Sequence, residues 1–263
     1  MNSETWPTSI TQVEPNKVLL RGYRIDELMG NISFSEAIFL AFSNRLPSKI
    51  EAKMIEAILV SSVDHGATPP SCQAARTVAM TGSPMNAAVA AGVLAISTHH
   101  GGAIENCMRM LMEIVDRWKP SGAALQTFAE SIVREFRENN KRLPGFGHRY
   151  HTEDPRAVKL FGIAANLSVA GNHIQMASAL QNAMEPVLGR RLPVNVDGAI
   201  AAALCDLGVP PELGNAFFMI ARLPGLVAHV WEEKTRMRPM RKFNPYQYAY
   251  DGPAERSLAD SNT

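Results

Sequence analysis

The apolar residues of this chain recur three and four positions apart, and that rhythm excludes most folds at the outset. In KIEAKMIEAILVSSV the recurring positions are Ile50, Met54, Ile55, Ile58 and Leu59. In GGAIENCMRMLMEIVDRW they are Ile104, Met108, Leu111, Met112 and Val115. AALQTFAESIVREFRENN and DPRAVKLFGIAANLSVAG repeat the pattern. Start signals accompany it. Ser33 and Ser35 precede EAIFLAF as N-caps do, and Pro47 and Ser48 open the KIEAKM run. In AFFMIARLPGLVAHVWEEKTR, Pro224 interrupts a long apolar helix pattern, which predicts a kink or break there. Strand patterns are scarce, and NKVLLRGYRI reads as a short hairpin or an extended segment. The expected fold class is all-α. Residues 1 to about 16 read as an arm, and the residues from about 252 onward as a polar tail.

Length and charge narrow the function. A chain of 263 residues forms one large domain or two modest ones and buries most of the surface that its unfolded form exposes. A formal net charge of +1 argues against a dedicated nucleic-acid binder, which carries a strong basic excess. Cys72, Cys107 and Cys205 form no CxxC pair, so neither a disulfide framework nor a zinc site is expected. MNSETWPTS has no basic and apolar leader regions. The run AAVAAGVLAI, Ala87 to Ile96, is too short to span a bilayer. The expectation is a reduced, cytoplasmic protein with no nucleic-acid and no membrane partner.

The chemistry concentrates in four breaker-rich stretches: DHGATPPS, THHGG, LPGFGHRYHTEDP and RRLPVNVDG. Loops held by a rigid scaffold are where reactive residues usually sit. A lone loop histidine is more often a hydrogen-bonding or solvent-facing group, and His173 and His229 are read that way. His151 and Asp64 default to a surface role and a helix-end hydrogen-bonding role. PGFGHR suggests a phosphate loop through Gly145 and Gly147, but no apolar strand precedes it and no third glycine opens a helix at the required spacing. His65, His100, His148 and His151 could be assembled into a metal site only by assumption, since no HExxH pattern fixes them. No metal is expected.

Taken in order, these stretches resemble the citrate synthase superfamily. RGYRIDELMGNISFSEAIFLAFSNRLPS resembles that family's opening segment. SSVDHGATPPSCQAAR resembles its DHxxNxSTxxxR stretch, and STHHGGAIEN its PxHGGANE stretch. LPGFGHRYHTEDPRA resembles its PGFGHRVYKxxDPRA loop, with one residue fewer between His148 and Arg156 than in the synthases. LPVNVDGAIAAAL resembles PNVDxxxGxxL, and IARLPGLVAHVWEE with RMRP resembles the C-terminal segments. The likeness covers roughly residues 18 to 253. Brevity, the DHG and NVDG wording and the ending RMRPMRKFNPYQYAYDG resemble citryl-CoA lyase and the C-terminal lyase domain of ATP-citrate lyase. That lyase domain lacks a histidine before its GGA, whereas this chain keeps His100, so the direction of reaction stays open.

The resemblance implies roles for particular residues. His148 would handle the hydroxyl of a citryl-type substrate, His100 would face the thioester oxygen, and Asp197 would exchange a proton with the methyl carbon. Two histidines and a carboxylate suit acid–base work near neutral pH. Arg156, Arg222 and Arg238 would hold substrate carboxylates, because the arginine fork makes two charge-assisted bonds to one carboxylate. His65 would bind substrate. The backbone of Pro144, Gly145, Phe146 and Gly147 would lie against coenzyme A. The implied partners are a CoA thioester and a di- or tricarboxylate, with no tightly bound cofactor.

The implied architecture is a large helical domain, 1–101 with 209–263, and a smaller mobile domain, 102–208. The family resemblance also implies a homodimer or a dimer-based oligomer in which Arg238 reaches the neighbouring site. Three activities are compatible with these residues: a citryl-CoA lyase, a short citrate or methylcitrate synthase, and a non-catalytic helical module binding CoA or a partner protein.

Overall fold

The computed structural model describes residues 6–97, 100–148, 152–241 and 251–252. The structure is mostly helical, as the apolar spacing predicts. Three short strands, β1 (Thr11–Glu14), β2 (Lys17–Leu20) and β3 (Tyr23–Arg24), form an antiparallel sheet in the order β1-β2-β3. The helices are α1 (Ile25–Leu28), α2 (Phe34–Ser43), α3 (Lys49–Ser61), α4 (Pro70–Met80), α5 (Met85–Leu94) and α6 (Ala103–Trp118). They continue as α7 (Leu125–Glu138), α8 (Pro155–Asn166), α9 (Asn172–Leu188), α10 (Val196–Asp206) and α11 (Gly214–Arg236).

Two starts are built as the sequence suggests. Ser33 caps α2 and Ser48 caps α3, each in a capping box closed by Glu36 or Glu51. Ser35 lies inside α2 and is buried. On α6 the expected face is buried at Ile104, Met108, Leu111 and Val115, whereas Met112 is exposed.

Two expectations are overturned. Residues 11–14 are not a loose arm but β1, paired with β2 from Thr11↔Leu20 to Glu14↔Lys17. Asn16, at φ +60°, turns the chain between them. All four β1 residues are exposed, so no apolar stripe marked the strand. Arg21 anchors the sheet by donating from Nε and Nη2 to the Ala41 carbonyl at 3.0 and 2.7 Å.

The second correction is at Pro224, where α11 runs unbroken from Gly214 to Arg236. Tertiary contacts outweigh the lost backbone donor. Arg222 Nε donates to the Ser62 carbonyl at 3.0 Å, and Gly225 lies so close to the Val63 carbonyl that a Cβ there would sit 2.3 Å from it. The stretch Pro211–Arg236 is also long and apolar enough to cross a bilayer by length and composition. Here it is a core helix, burying Phe217, Phe218, Leu226 and Val230.

The main core joins α6, α7, α9 and α10 with the inner faces of α2 and α3. A smaller one, Ala75, Ala79, Ala88, Leu226 and Val230, lies where α4, α5 and α11 meet. His173 and Asp206 serve packing, not a site. Asp206, at the end of α10, accepts from the backbone of Gly171, His173 and Ile174 and from His173 Nδ1, which caps α9. His229 Nε2 donates to Asp64 Oδ1 at 3.0 Å, in the structural role expected of both. His151 and the tail beyond residue 252 lie outside the described residues.

Candidate active site

The loop of residues 143–148 is shaped by two glycines in the left-handed region, Gly145 at φ +84° and Gly147 at φ +87°. Most residues resist that conformation. Gly145 is also in tight contact: a Cβ there would sit 2.7 Å from both Cys107 Sγ and the Gly198 Cα. The loop is then tied to the start of α10. Gly147 N–H donates to the Pro193 carbonyl at 2.7 Å, and Asn195 N–H donates to the Gly145 carbonyl at 3.0 Å. Asn195 caps α10 through its Oδ1 and donates from Nδ2 to the Gly147 carbonyl. His148, at the loop's end, and Asp197, in the first turn of α10, are thereby held by one backbone clasp.

Six of the seven expected catalytic and substrate-binding residues line a single cavity of about 510 Å³: His65, His100, His148, Arg156, Asp197 and Arg222. Pro70 and Val196, which open α4 and α10, line it too, as does Gly101, two residues before α6, and Arg156 is the second residue of α8. The positive potential of helix N-termini favours an anion there. Arg238 does not line the cavity of its own chain. It is exposed, beyond the end of α11. Of the four residues expected to meet coenzyme A, Gly147 lines the cavity, Gly145 is buried against α6 and α10, and Pro144 and Phe146 are half-buried.

The cations differ in how they are compensated. Arg156 makes a two-point contact with Asp154, Nε to Oδ1 at 3.0 Å and Nη2 to Oδ2 at 2.9 Å, and its Nη1 lies 3.3 Å from His65 Nδ1. Arg222 is 2% exposed and has no carboxylate within ion-pair distance among the described residues. Its guanidinium stacks over Phe218 at 4.9 Å, and its Nη1 has no hydrogen-bond partner there. A buried charge outside ion-pair distance of a carboxylate is costly, so the position suits an anionic ligand.

Burial shifts the titrating groups of the cavity. Burial lowers the pKa of His65, and the charges of Arg156 and Arg222 lower it further. Burial and Arg222 do the same to His100. Both rings therefore favour the neutral form. Burial raises the pKa of Asp197, partly offset by Arg156 and Arg222. It holds a proton more readily than an exposed aspartate. His100 Nε2 lies 2.8 Å from Ser71 Oγ, and the ring meets Phe218 edge-on, with centroids 6.2 Å apart. His148 stands perpendicular to His65, ring centroids 6.5 Å apart.

Four residues here escaped the sequence reading. Ser71 and Phe218 sit on helices whose core-facing pattern hid them. Asn195 and Asp154 stand beside residues that were singled out, and N-capping was the available signal for both.

Residues 43–242 match the family model described as citrate synthase, C-terminal domain. The Citrate/2-methylcitrate synthase of Bacillus subtilis (strain 168) is 30% identical over 228 residues, 84% of this chain and 57% of that protein. A Putative citrate synthase 2 of Mycobacterium tuberculosis is 33% identical over 216 residues, 80% of this chain and 54% of that protein. The chain thus spans about half the length of these curated relatives. Among solved structures, the citryl-CoA lyase of Hydrogenobacter thermophilus superposes with a TM-score of 0.89 at 42% identity, covering 97% of this chain and 98% of that one. An ATP citrate lyase of Methanothrix soehngenii, solved with citrate and coenzyme A, shares the fold at a TM-score of 0.83 and 21% identity, covering 97% of this chain and 43% of that one. With its cavity, its histidines and this extent of match, the chain belongs to the citrate synthase family.

Proposed function

We propose that this chain cleaves citryl-CoA, or a close homologue, into acetyl-CoA and oxaloacetate. The observation that carries the reading is the convergence of His100, His148 and Asp197 on one cavity with a buried, carboxylate-free Arg222. In the proposed step, His148 takes the proton of the tertiary hydroxyl. The carbonyl of oxaloacetate forms as the carbon–carbon bond breaks, and the electron pair moves into the thioester, whose oxygen becomes an enolate. His100 faces that oxygen as a hydrogen-bond donor, and protonated Asp197 delivers its proton to the emerging methyl carbon. The raised proton affinity of Asp197 supports its role as the acid in this direction. Arg156, Arg222 and His65 hold the carboxylates, and the Pro144–Gly147 backbone receives coenzyme A. The reaction as written needs no bound cofactor beyond the thioester itself.

The end-to-end match to a citryl-CoA lyase favours cleavage. The second reading, condensation by a short citrate or methylcitrate synthase, is supported by the curated relatives and uses the same residues in reverse, plus a water for hydrolysis. Around this site we assign residues 102–208, which contain α6 to α10, to a smaller mobile domain, and 1–101 with 209–263 to a larger one. Closure would expel water and strengthen the electrostatics within. The three thiols are buried and free, which suits a reducing cytoplasm.

Two assays separate the readings. One supplies citryl-CoA and follows acetyl-CoA, and the other supplies acetyl-CoA with oxaloacetate and follows free thiol. Rapid cleavage in the first and slow thiol release in the second is the expected result. Rapid thiol release with no cleavage would promote the synthase. Asp197→Asn and His148→Ala should each cost on the order of 10²–10⁴ in turnover, the range for a positioned acid or base.

A further inference from the structure

Asp154 is 0% exposed, yet it is a carboxylate. Its two oxygens accept four hydrogen bonds. Oδ1 accepts from Arg156 N–H and Nε, each at 3.0 Å. Oδ2 accepts from Arg156 Nη2 at 2.9 Å and from Val196 N–H at 3.1 Å. The first three bonds are local, since Asp154 caps α8 and Arg156 lies in its first turn. The fourth reaches 42 residues along the chain to the first residue of α10, immediately before Asp197. One carboxylate therefore clamps the starts of two helices, each of which brings a charged residue to the cavity.

The clamp has a directional consequence. The Nε and Nη2 edge of Arg156 is occupied, so Nη1, beside His65, is the part left toward the cavity. We propose that Asp154, acting within the lyase reading above, is the positioning residue of the site: it aims Arg156 and pins the first turn of α10, so that the carboxylate-binding fork and Asp197 keep one spacing. Its charge has a second effect. Asp197 is faced by Asp154 and Arg156 from α8, by Arg222 from α11 and by Cys107 from α6, and it shares the cavity with His65, His100 and His148. Among the described residues, Asp154 is the carboxylate in that set that favours a protonated Asp197.

Asp154→Asn keeps the shape but removes the charge, and its amide nitrogen cannot accept from Val196 N–H or Arg156 Nη2. Asp154→Glu keeps the charge but displaces it by one methylene in a space with no solvent access. Both should lower kcat/KM for citryl-CoA roughly 10–100-fold, the scale of one charge-assisted hydrogen bond, through KM and kcat together because both Arg156 and Asp197 are disturbed. The decisive readout does not need turnover. In protein carrying ¹³C-labelled aspartate carboxyls, the Asp197 signal, identified by its loss in Asp197→Asn, should titrate at lower pH in Asp154→Asn and keep its midpoint in Asp154→Glu. Wild-type kinetics and an unmoved or raised Asp197 midpoint in Asp154→Asn would overturn the proposal and leave Asp154 as a stabilising ion pair. If Asp154→Asn does not fold, Asp154→Glu decides, with wild-type kcat and KM counting against. If the wild type cleaves no citryl-CoA, the lyase reading fails, and the titration together with oxaloacetate binding by calorimetry still judges the clamp.

Discussion

Arg222 shows what one residue can and cannot reveal before the fold is known. In the sequence, an arginine in an apolar helix is an ordinary surface cation whose stem lies along the core. In the fold it is buried because it lies on the inward face of α11, and among the described residues its Nη1 has no hydrogen-bond partner. His65, His100, His148, Arg156 and Asp197 stand in or beside breaker-rich loops, and the family resemblance pointed to them and to Arg222 alike. Ser71, which touches His100, was not legible, because a serine on a helix face carries no mark of its partner. The orphaned guanidinium makes a prediction. Arg222→Met keeps the stem over Phe218 and deletes the charge. Citrate binding by calorimetry should weaken roughly 10–100-fold, the scale of lost charge-assisted bonds of about 1.5–3 kcal/mol. The unliganded variant should melt close to the wild type, since relief of a buried charge with no ion-pair partner offsets the roughly 1–3 kcal/mol lost with the Nε bond to the Ser62 carbonyl. Citrate binding at wild-type strength would remove Arg222 from the site.

Among the elements, the helices were readable because spacing and caps agree, as in the boxes of Ser33 with Glu36 and Ser48 with Glu51. β1 was not, since TQVE buries nothing and is held by backbone pairing and an exposed Glu14–Lys17 ion pair. The Pro224 break was expected from local chemistry and prevented by contacts from residues 62–64, far away in sequence. Close approach between elements is likewise invisible in one dimension. Gly198 on α10 meets the Gly145 carbonyl, and a Cβ there would sit 2.3 Å from that oxygen and 3.1 Å from the Gly145 Cα. Backbone cannot swing aside as a side chain can. Gly198→Ala should therefore push the 143–148 loop off α10, at a cost of about 1–3 kcal/mol in urea unfolding, as overpacking does. Because that loop ends in His148, kcat/KM should fall at least tenfold for the fraction still folded, since small misplacements cost rate heavily. Gly162→Ala on α8, where nothing lies within 4 Å of the new Cβ, is the control: it should stabilise by up to about 1 kcal/mol and leave activity unchanged. Equal behaviour of the two variants would mean that the clasp does not set the loop.

At the scale of the whole molecule, two helices leave apolar side chains on the surface. α5 is apolar on all sides, yet Ala87, Ala90 and Leu94 are exposed, Leu94 at 83%. A helix that is apolar all round is normally buried. α11, which packs on α5, adds exposed Leu223, Val227 and Trp231, spaced four apart on one face. Exposed apolar patches serve as interaction sites, and we propose that a second copy covers this one. The segment after α11 is tied down near this region. Met240 N–H donates to the Met80 carbonyl at 3.0 Å, and Arg241 lies 2.9 Å from the buried Glu233, which also pairs with Arg76 at 2.7 Å. Arg238, between the end of α11 and these anchors, is exposed and does not line its own chain's cavity. If a dimer forms and Arg238 completes the neighbouring site, two dead subunits can repair each other. Arg238→Ala lacks the cation that it would lend, and Asp197→Asn lacks the acid in its own cavity. In a hybrid dimer one site draws Asp197 from the first chain and Arg238 from the second, so it is whole, while the other carries both defects. Random re-association gives hybrids in half the dimers and should restore about a quarter of the wild-type specific activity toward citryl-CoA. The mixture would be equilibrated under conditions where mass measurements on differently tagged chains demonstrate exchange. Full exchange with no recovered activity would place Arg238 outside any partner's site, and a chain that sediments as a monomer at assay concentration while fully active would remove the dimer from the mechanism.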